Sequence, residues 1–247
     1  MDVRITSILY SLIAAFATFV GVQILVVKEH FARKYSLYLV SFAAGVMLTV
    51  AFTHLLPEAL VYNPLALRFM FAGFVAFFLI ESMLIVHACP MHQCEGHGGK
   101  PKEITGHVAF MGLVFHSFID GLIIGLGFEV NATIGMLAAL SIIMHKVPEG
   151  VSTYSILIAV MPRRQALFRA YLEASATVIG TVICILFIRN ISSATLGALL
   201  GIASGSFTYV AASDLIPQTH EVSGFKPPLF FLAGVAFIMT VTLIHHG

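Results

Sequence analysis

Eight apolar runs divide the chain, each about as long as a bilayer interior is thick, and short polar clusters fall between them. A hydrocarbon core of about 30 Å needs about 20 helical residues to cross it. The runs therefore read as membrane helices over residues 5–27, 36–60, 66–87, 107–128, 133–159, 166–189, 193–218 and 228–245. Turn chemistry marks most of the connectors, at Asn63-Pro64, residues 129–132, 161–164 and 190–192, and Lys226-Pro227-Pro228. The expected fold class is all-α: a polytopic membrane protein of eight transmembrane helices forming a single transmembrane domain over 1–247, with a polar loop at 88–106 inside it. The first run is longer than the apolar core of a signal peptide and Lys28 follows it, so it reads as a retained helix.

The second and seventh runs share a pattern. Ala43, Gly45, Val50, Ala51, Leu55 and Pro57 recur as Ala203, Gly205, Val210, Ala211, Leu215 and Pro217, always 160 residues later. The two copies cross in opposite directions, which predicts an inverted 3+2+3 repeat, with spans 1–3 and 6–8 flanking spans 4 and 5. Secondary transporters use this organisation around a site near the midplane.

Composition sharpens the picture. With 59% hydrophobic and only 10% charged residues, the chain has too little polar surface to cover a water-soluble globule. The net charge of +1 and the lack of a basic stripe with interleaved aromatics exclude nucleic acid as a partner. Lys28, Arg33, Lys34, Lys100, Lys102, Arg163, Arg164, Arg169 and Lys226 fall on one side of the expected spans, against Arg4, Arg68 and Arg189 on the other. The positive-inside rule then puts both termini outside the cytoplasm and the 88–106 loop within it. Cys89, Cys94 and Cys184 are too few and too unevenly placed for a disulfide framework.

Two short motifs carry the chemistry. His116-Ser117-Phe118-Ile119-Asp120-Gly121 and His145-Lys146-Val147-Pro148-Glu149-Gly150 each set a histidine and a carboxylate four residues apart, hence on one helix face. Ionisable groups at that depth are costly and persist where they line a cavity, bind a cation or relay protons. Side by side, spans 4 and 5 would bring two nitrogens and two oxygens to one point, a donor set that suits zinc and also accepts iron(II), manganese or cadmium. Pro148 cannot donate to the Met144 carbonyl, so backbone oxygen is expected to be freed beside the site. The same ligands would serve an intramembrane metal-dependent hydrolase, and a membrane metal sensor without flux would rest on the His/Cys loop at 88–106, but no His-Glu-x-x-His element is present and the repeat favours a carrier.

These half-motifs resemble those of the ZIP (Zrt/Irt-like) metal transporters, as do the span count, the external termini and the element from Asp214 to His220. The resemblance implies His116, Asp120, His145 and Glu149 as primary metal ligands. It also implies divalent metal uptake toward the cytoplasm by alternating access, with spans 1, 4, 5 and 6 sliding as an elevator. Ser117 and Lys146 stand where two-metal members of the family carry Asn or Asp. A protonated lysine cannot ligate and repels a neighbouring cation, so a single-metal centre is expected, with Glu173 as the partner of Lys146.

Weaker candidates lie along the path. His54 and Glu58, beside Pro57, are expected near the outer entrance, and Asp214, Gln218, His220 and Glu221 near the cytoplasmic exit. His87, Cys89, His92, Cys94 and His97 make the loop a loose metal binder whose spacing fits no defined zinc finger. The expected partners are the transported divalent ion, the lipid bilayer and, as a candidate assembly, a second copy in a homodimer. No resident cofactor is expected.

Overall fold

The computed structural model describes residues 3–85, 102–188, 191–220 and 224–246, and these are almost wholly helical. The helices are α1 (Val3–Val27), α2 (Glu29–Val50, continuing through a π turn at Ala51–Leu55 into Leu56–Tyr62), α3 (Ala66–Ile85), α4 (Lys102–Val130), α5 (Ala132–Ile158), α6 (Arg163–Phe187), α7 (Ser193–Tyr209, continuing through a π turn at Val210–Leu215 into Ile216–Thr219) and α8 (Lys226–His246). Seven carry stretches long and apolar enough to cross a membrane, and α3 is apolar over Ala66–Ile80. The protein is an all-α, multi-pass membrane protein, as the apolar runs predict.

Two helices begin earlier than hydropathy places them. α2 starts at Glu29 rather than 36, and α4 at Lys102 rather than 107, so residues 102–106 of the expected loop are helical. Apolar runs mark only the part of a helix long and apolar enough to sit in hydrocarbon, whereas backbone hydrogen bonding can carry the helix beyond it through polar residues. Side-chain caps set two other starts. The Ile134 amide donates to Asn131 Oδ1 at 2.9 Å, and the Thr195 amide to Ser192 Oγ at 3.2 Å.

The π turns share one design. In α2 the Leu56 amide donates to the Ala51 oxygen, and in α7 the Ile216 amide donates to the Ala211 oxygen. Each bond spans five residues instead of four, and a proline, Pro57 or Pro217, follows immediately. A proline ring clashes with the carbonyl four residues back, and the wider turn relieves that contact. Ala51 O also accepts from Ser204 Oγ at 3.0 Å, which ties α2 to α7 at the widened turn.

Glycines show which helices belong together. Gly21 of α1 and Gly150 of α5 each lie against the other helix's backbone, as do Gly121 of α4 and Gly180 of α6. The same reciprocal contact joins α2 to α8 through Gly45 and Gly234, and α3 to α7 through Gly73 and Gly205. Small residues let backbones approach closely where lipid offers no hydrophobic drive to associate. Among the described residues these glycine seams run inside two sets, α1/α4/α5/α6 and α2/α3/α7/α8, and none joins one set to the other. The Thr177 carbonyl occupies the place of a Cβ at Gly121, so Gly121→Ala is expected to push α4 from α6 and lower stability by about 1–3 kcal/mol. Thermal unfolding of the purified protein checks this; an unchanged midpoint would mean that the seam yields freely.

Candidate metal centre

A single residue, Asn131, joins α4 to α5, and the two helices run back along each other from a close approach of Gly127 to Gly135. The antiparallel pairing turns the His116/Asp120 face toward the His145/Glu149 face. One donor atom from each of these four residues lies within 4.8 Å of the others. His145 Nε2 is 3.1 Å from Asp120 Oδ2 and 3.6 Å from Glu149 Oε2; for His116 Nε2 the distances are 3.5 and 3.9 Å. The His145, Asp120 and Glu149 side chains are buried, while that of His116 is 20% exposed and forms the accessible edge.

The neighbours orient this cluster. His145 Nδ1 lies 3.1 Å from the Ser141 carbonyl oxygen, which can only accept, so that nitrogen carries a proton. In the neutral ring Nε2 then presents its lone pair to the centre, the arrangement metal-binding histidines adopt. That tautomer follows from the hydrogen bonding. Nε2 lies 3.1 Å from Asp120 Oδ2, so either a ring proton or a metal ion would join the nitrogen to that carboxylate.

Lys146 brings a positive charge to the same carboxylates. Its fully buried ammonium lies 2.9 Å from Asp120 Oδ2, 2.8 and 2.9 Å from the two Glu149 oxygens and 2.7 Å from Ser117 Oγ. Ser117 Oγ also lies 2.6 Å from Glu149 Oε1 and makes a short contact to Glu173 Oε1. A hydroxyl has one proton, so Ser117 donates to one of these carboxylates at a time. The direct partners of Lys146 are thus Ser117, Asp120 and Glu149. Glu173 joins through Ser117, because the Gly121/Gly180 seam holds α6 against α4 at that level.

All seven central residues named from the sequence therefore meet in one network. The others stand apart from it. His54 is buried in the π turn of α2, with Nδ1 2.7 Å from Thr53 Oγ1 and Nε2 2.9 Å from Thr242 Oγ1 of α8. Glu58 accepts from Asn131 Nδ2 at 3.2 Å, at the α4–α5 connector. Asp214 lies half-buried in the π turn of α7, Gln218 is half-buried one turn on, and His220 is exposed just past the helix end. His87, Cys89, His92, Cys94, His97 and Glu221 lie outside the described residues.

Two residues escaped the sequence reading. Thr153 extends the His145/Glu149 stripe by one more turn, and Thr177 follows Glu173 by one turn. Among the described residues their hydroxyls and Glu173 Oε2 are buried without a hydrogen-bond partner. Such groups mark places for water or an ion. The four-residue spacing was the available signal, and threonine is too common on apolar helices for it to stand out.

Fold and cluster together define a multi-pass helical membrane protein built around a buried set of metal-ligand groups. The profile of the ZIP zinc transporter family matches residues 87–242, well over half of the chain, and the chain belongs to that family. Its relatives are transporters rather than enzymes. Metal cation symporter ZIP14 of Bos taurus is 25% identical over 79% of this chain and 56% of its own length. The Xenopus tropicalis ZIP14 is 38% identical over 44% of this chain and 23% of its own length. Zinc transporter ZIP10 of Mus musculus is 29% identical over 60% of this chain and 20% of its own. The chain thus spans little more than half the length of the relatives it matches, or less.

Proposed function

We propose that this chain carries a divalent metal ion, zinc foremost with iron(II), manganese and cadmium as alternatives, through the His116/Asp120/His145/Glu149 site toward the cytoplasm. The observation that carries this reading is the convergence of two imidazole nitrogens and two carboxylates inside membrane-spanning helices. One ammonium leaves that set short of positive charge, and a divalent ion supplies it. Lys146 fills the flank beside Asp120 and Glu149 where a second ion would bind, which supports one metal at a time. The names of the relatives, zinc transporters and metal cation symporters, agree with that cargo.

Alternating access is the proposed mode. Glycine seams inside α1/α4/α5/α6 and inside α2/α3/α7/α8, with none between the sets among the described residues, support two bodies that move past each other. The ligands all stand on the first body. Both termini are proposed to lie outside the cytoplasm, with residues 88–106 inside, and 1–247 to act as one transmembrane domain that pairs as a homodimer. Glu58 shares the α4–α5 end with Asn131, consistent with His54 and Glu58 near the entrance. Asp214, Gln218, His220 and Glu221 would then serve the exit.

Metal uptake into sealed proteoliposomes over a panel of divalent ions tests the reading, with saturable flux expected and zinc preferred. Binding without flux in protein of verified orientation would sink it. Deleting residues 89–99 is expected to change apparent affinity or regulation while transport persists, since this segment is proposed to lie outside the hydrocarbon. A deletion protein that inserts normally yet carries no ion at any concentration would make the loop part of the obligatory path.

A further inference from the structure

A second feature lies away from the ligands, where α3 and α7 face α4 and α6. A cavity of about 400 Å³ opens there, walled by side chains such as Phe77, Ile123, Leu126, Cys184, Leu199 and Ala203. Its one hydroxyl is spoken for: Ser206 Oγ donates to the Ala203 carbonyl at 2.8 Å. A buried water needs two to four polar partners, and these walls offer almost none, so the space does not hold water. Apolar cavities less than half this size take up small hydrocarbons, because an empty void forfeits dispersion contacts on every wall.

What fills it follows from where it opens. The lining of α4, α6 and α7 belongs to membrane-spanning stretches, so the surrounding medium is hydrocarbon. Two lining residues at its rim, Phe187 at 79% and Leu199 at 37% exposure, face outward, whereas Cys184 at 8% and Ala203 at 4% lie within. The cavity is therefore entered sideways from lipid. It uses the last turns of α6 and the first half of α7, so it lies in the leaflet that holds the α6–α7 connector. We propose that it is a binding site for the acyl tail of a phospholipid of that leaflet. The tail touches α4 and α6 on one wall and α3 and α7 on the other, and so bridges the two glycine-seamed sets. This site needs only the membrane-spanning fold and stands independently of the metal reading.

The full chain in vesicles of phosphatidylcholine bearing a diazirine near the end of one acyl chain provides the test, with labelled positions mapped by peptide mass spectrometry. Labelling of Cys184 and Ala203 is expected in the wild type, alongside the outward-facing Leu186 and Phe187 that any tail can reach. Ala203→Trp fills the cavity and is expected to reduce labelling of Cys184 at least about 5-fold while Leu186 keeps its label. Leu199→Trp, which narrows the rim, gives the same reading if the first variant does not reach the membrane. Labelling confined to outward-facing positions in the wild type overturns the proposal whatever the variants do. So does a Cys184 signal that persists in a folded, cavity-filled protein.

Discussion

Alanine at His145 is expected to lower metal uptake by more than about 100-fold while the protein still folds and inserts. Loss of an outer partner of a metal ligand already costs 10- to 100-fold, and His145 is proposed as a ligand itself. Its imidazole is buried, with Nε2 directed at Asp120 and Glu149, so bulk water does not readily replace it. Glu149→Ala should abolish uptake as fully but at a cost in stability, because Glu149 also accepts two hydrogen bonds from the buried Lys146 ammonium. Breaking one side of a buried ion pair costs about 3–5 kcal/mol. Glu149→Gln keeps the shape and removes the charge, and separates the two effects. Zinc flux at subsaturating metal, read beside thermal unfolding, is the measurement. A His145→Ala/Glu149→Ala double variant with normal uptake would remove the site from the path.

Lys146→Asp is expected to raise the number of metal ions held at the centre from one to two. The ammonium now donates to Asp120, Glu149 and Ser117 together. An aspartate in its place adds an anionic ligand one residue from His145 and leaves Glu173, one hydroxyl away, free to bridge. The same change strips the metal-free protein of the one cation in its buried network. The variant should therefore be much less stable than wild type without metal and regain stability as metal binds, by mass action. Equilibrium metal stoichiometry and the metal dependence of unfolding decide the matter. Two ions in the wild type, or one in the variant at saturation, would show that Lys146 does not set the count.

Much of this architecture can be read along the chain. In hydrocarbon every backbone group must find its partner within its own segment, so a run of apolar residues implies a helix without reference to its neighbours. That is why the apolar runs from residues 5–27 to 228–245 match the helices α1 to α8 to within a few residues at most ends and miss mainly at Glu29 and Lys102, where polar residues extend the helix. The histidine/carboxylate faces were legible for the same reason, since a four-residue spacing is a property of one helix. Family membership, likewise, followed from the two half-motifs and is borne out by the match over residues 87–242.

Other features depend on distances between helices. Lys146 donates directly to Asp120, Glu149 and Ser117 and reaches Glu173 through the Ser117 hydroxyl, since the choice among carboxylates turns on how far α6 stands from α5. His54 reads as an entrance residue from its place near a span end, yet its ring is held by Thr53 and by Thr242 of α8. Hydropathy does not register the extra residue of a π turn at Ala51–Leu55 or Val210–Leu215, because a wider turn leaves the side chains just as apolar. The sequence by itself determined the helices and the faces that carry the histidine and carboxylate pairs, through local hydrogen bonding and helical periodicity. Only the tertiary structure decided which faces meet, which carboxylates hold Lys146 and where a void remains. Those depend on the close packing of helices far apart in the chain, where a glycine in place of one methyl group sets how nearly two backbones can approach.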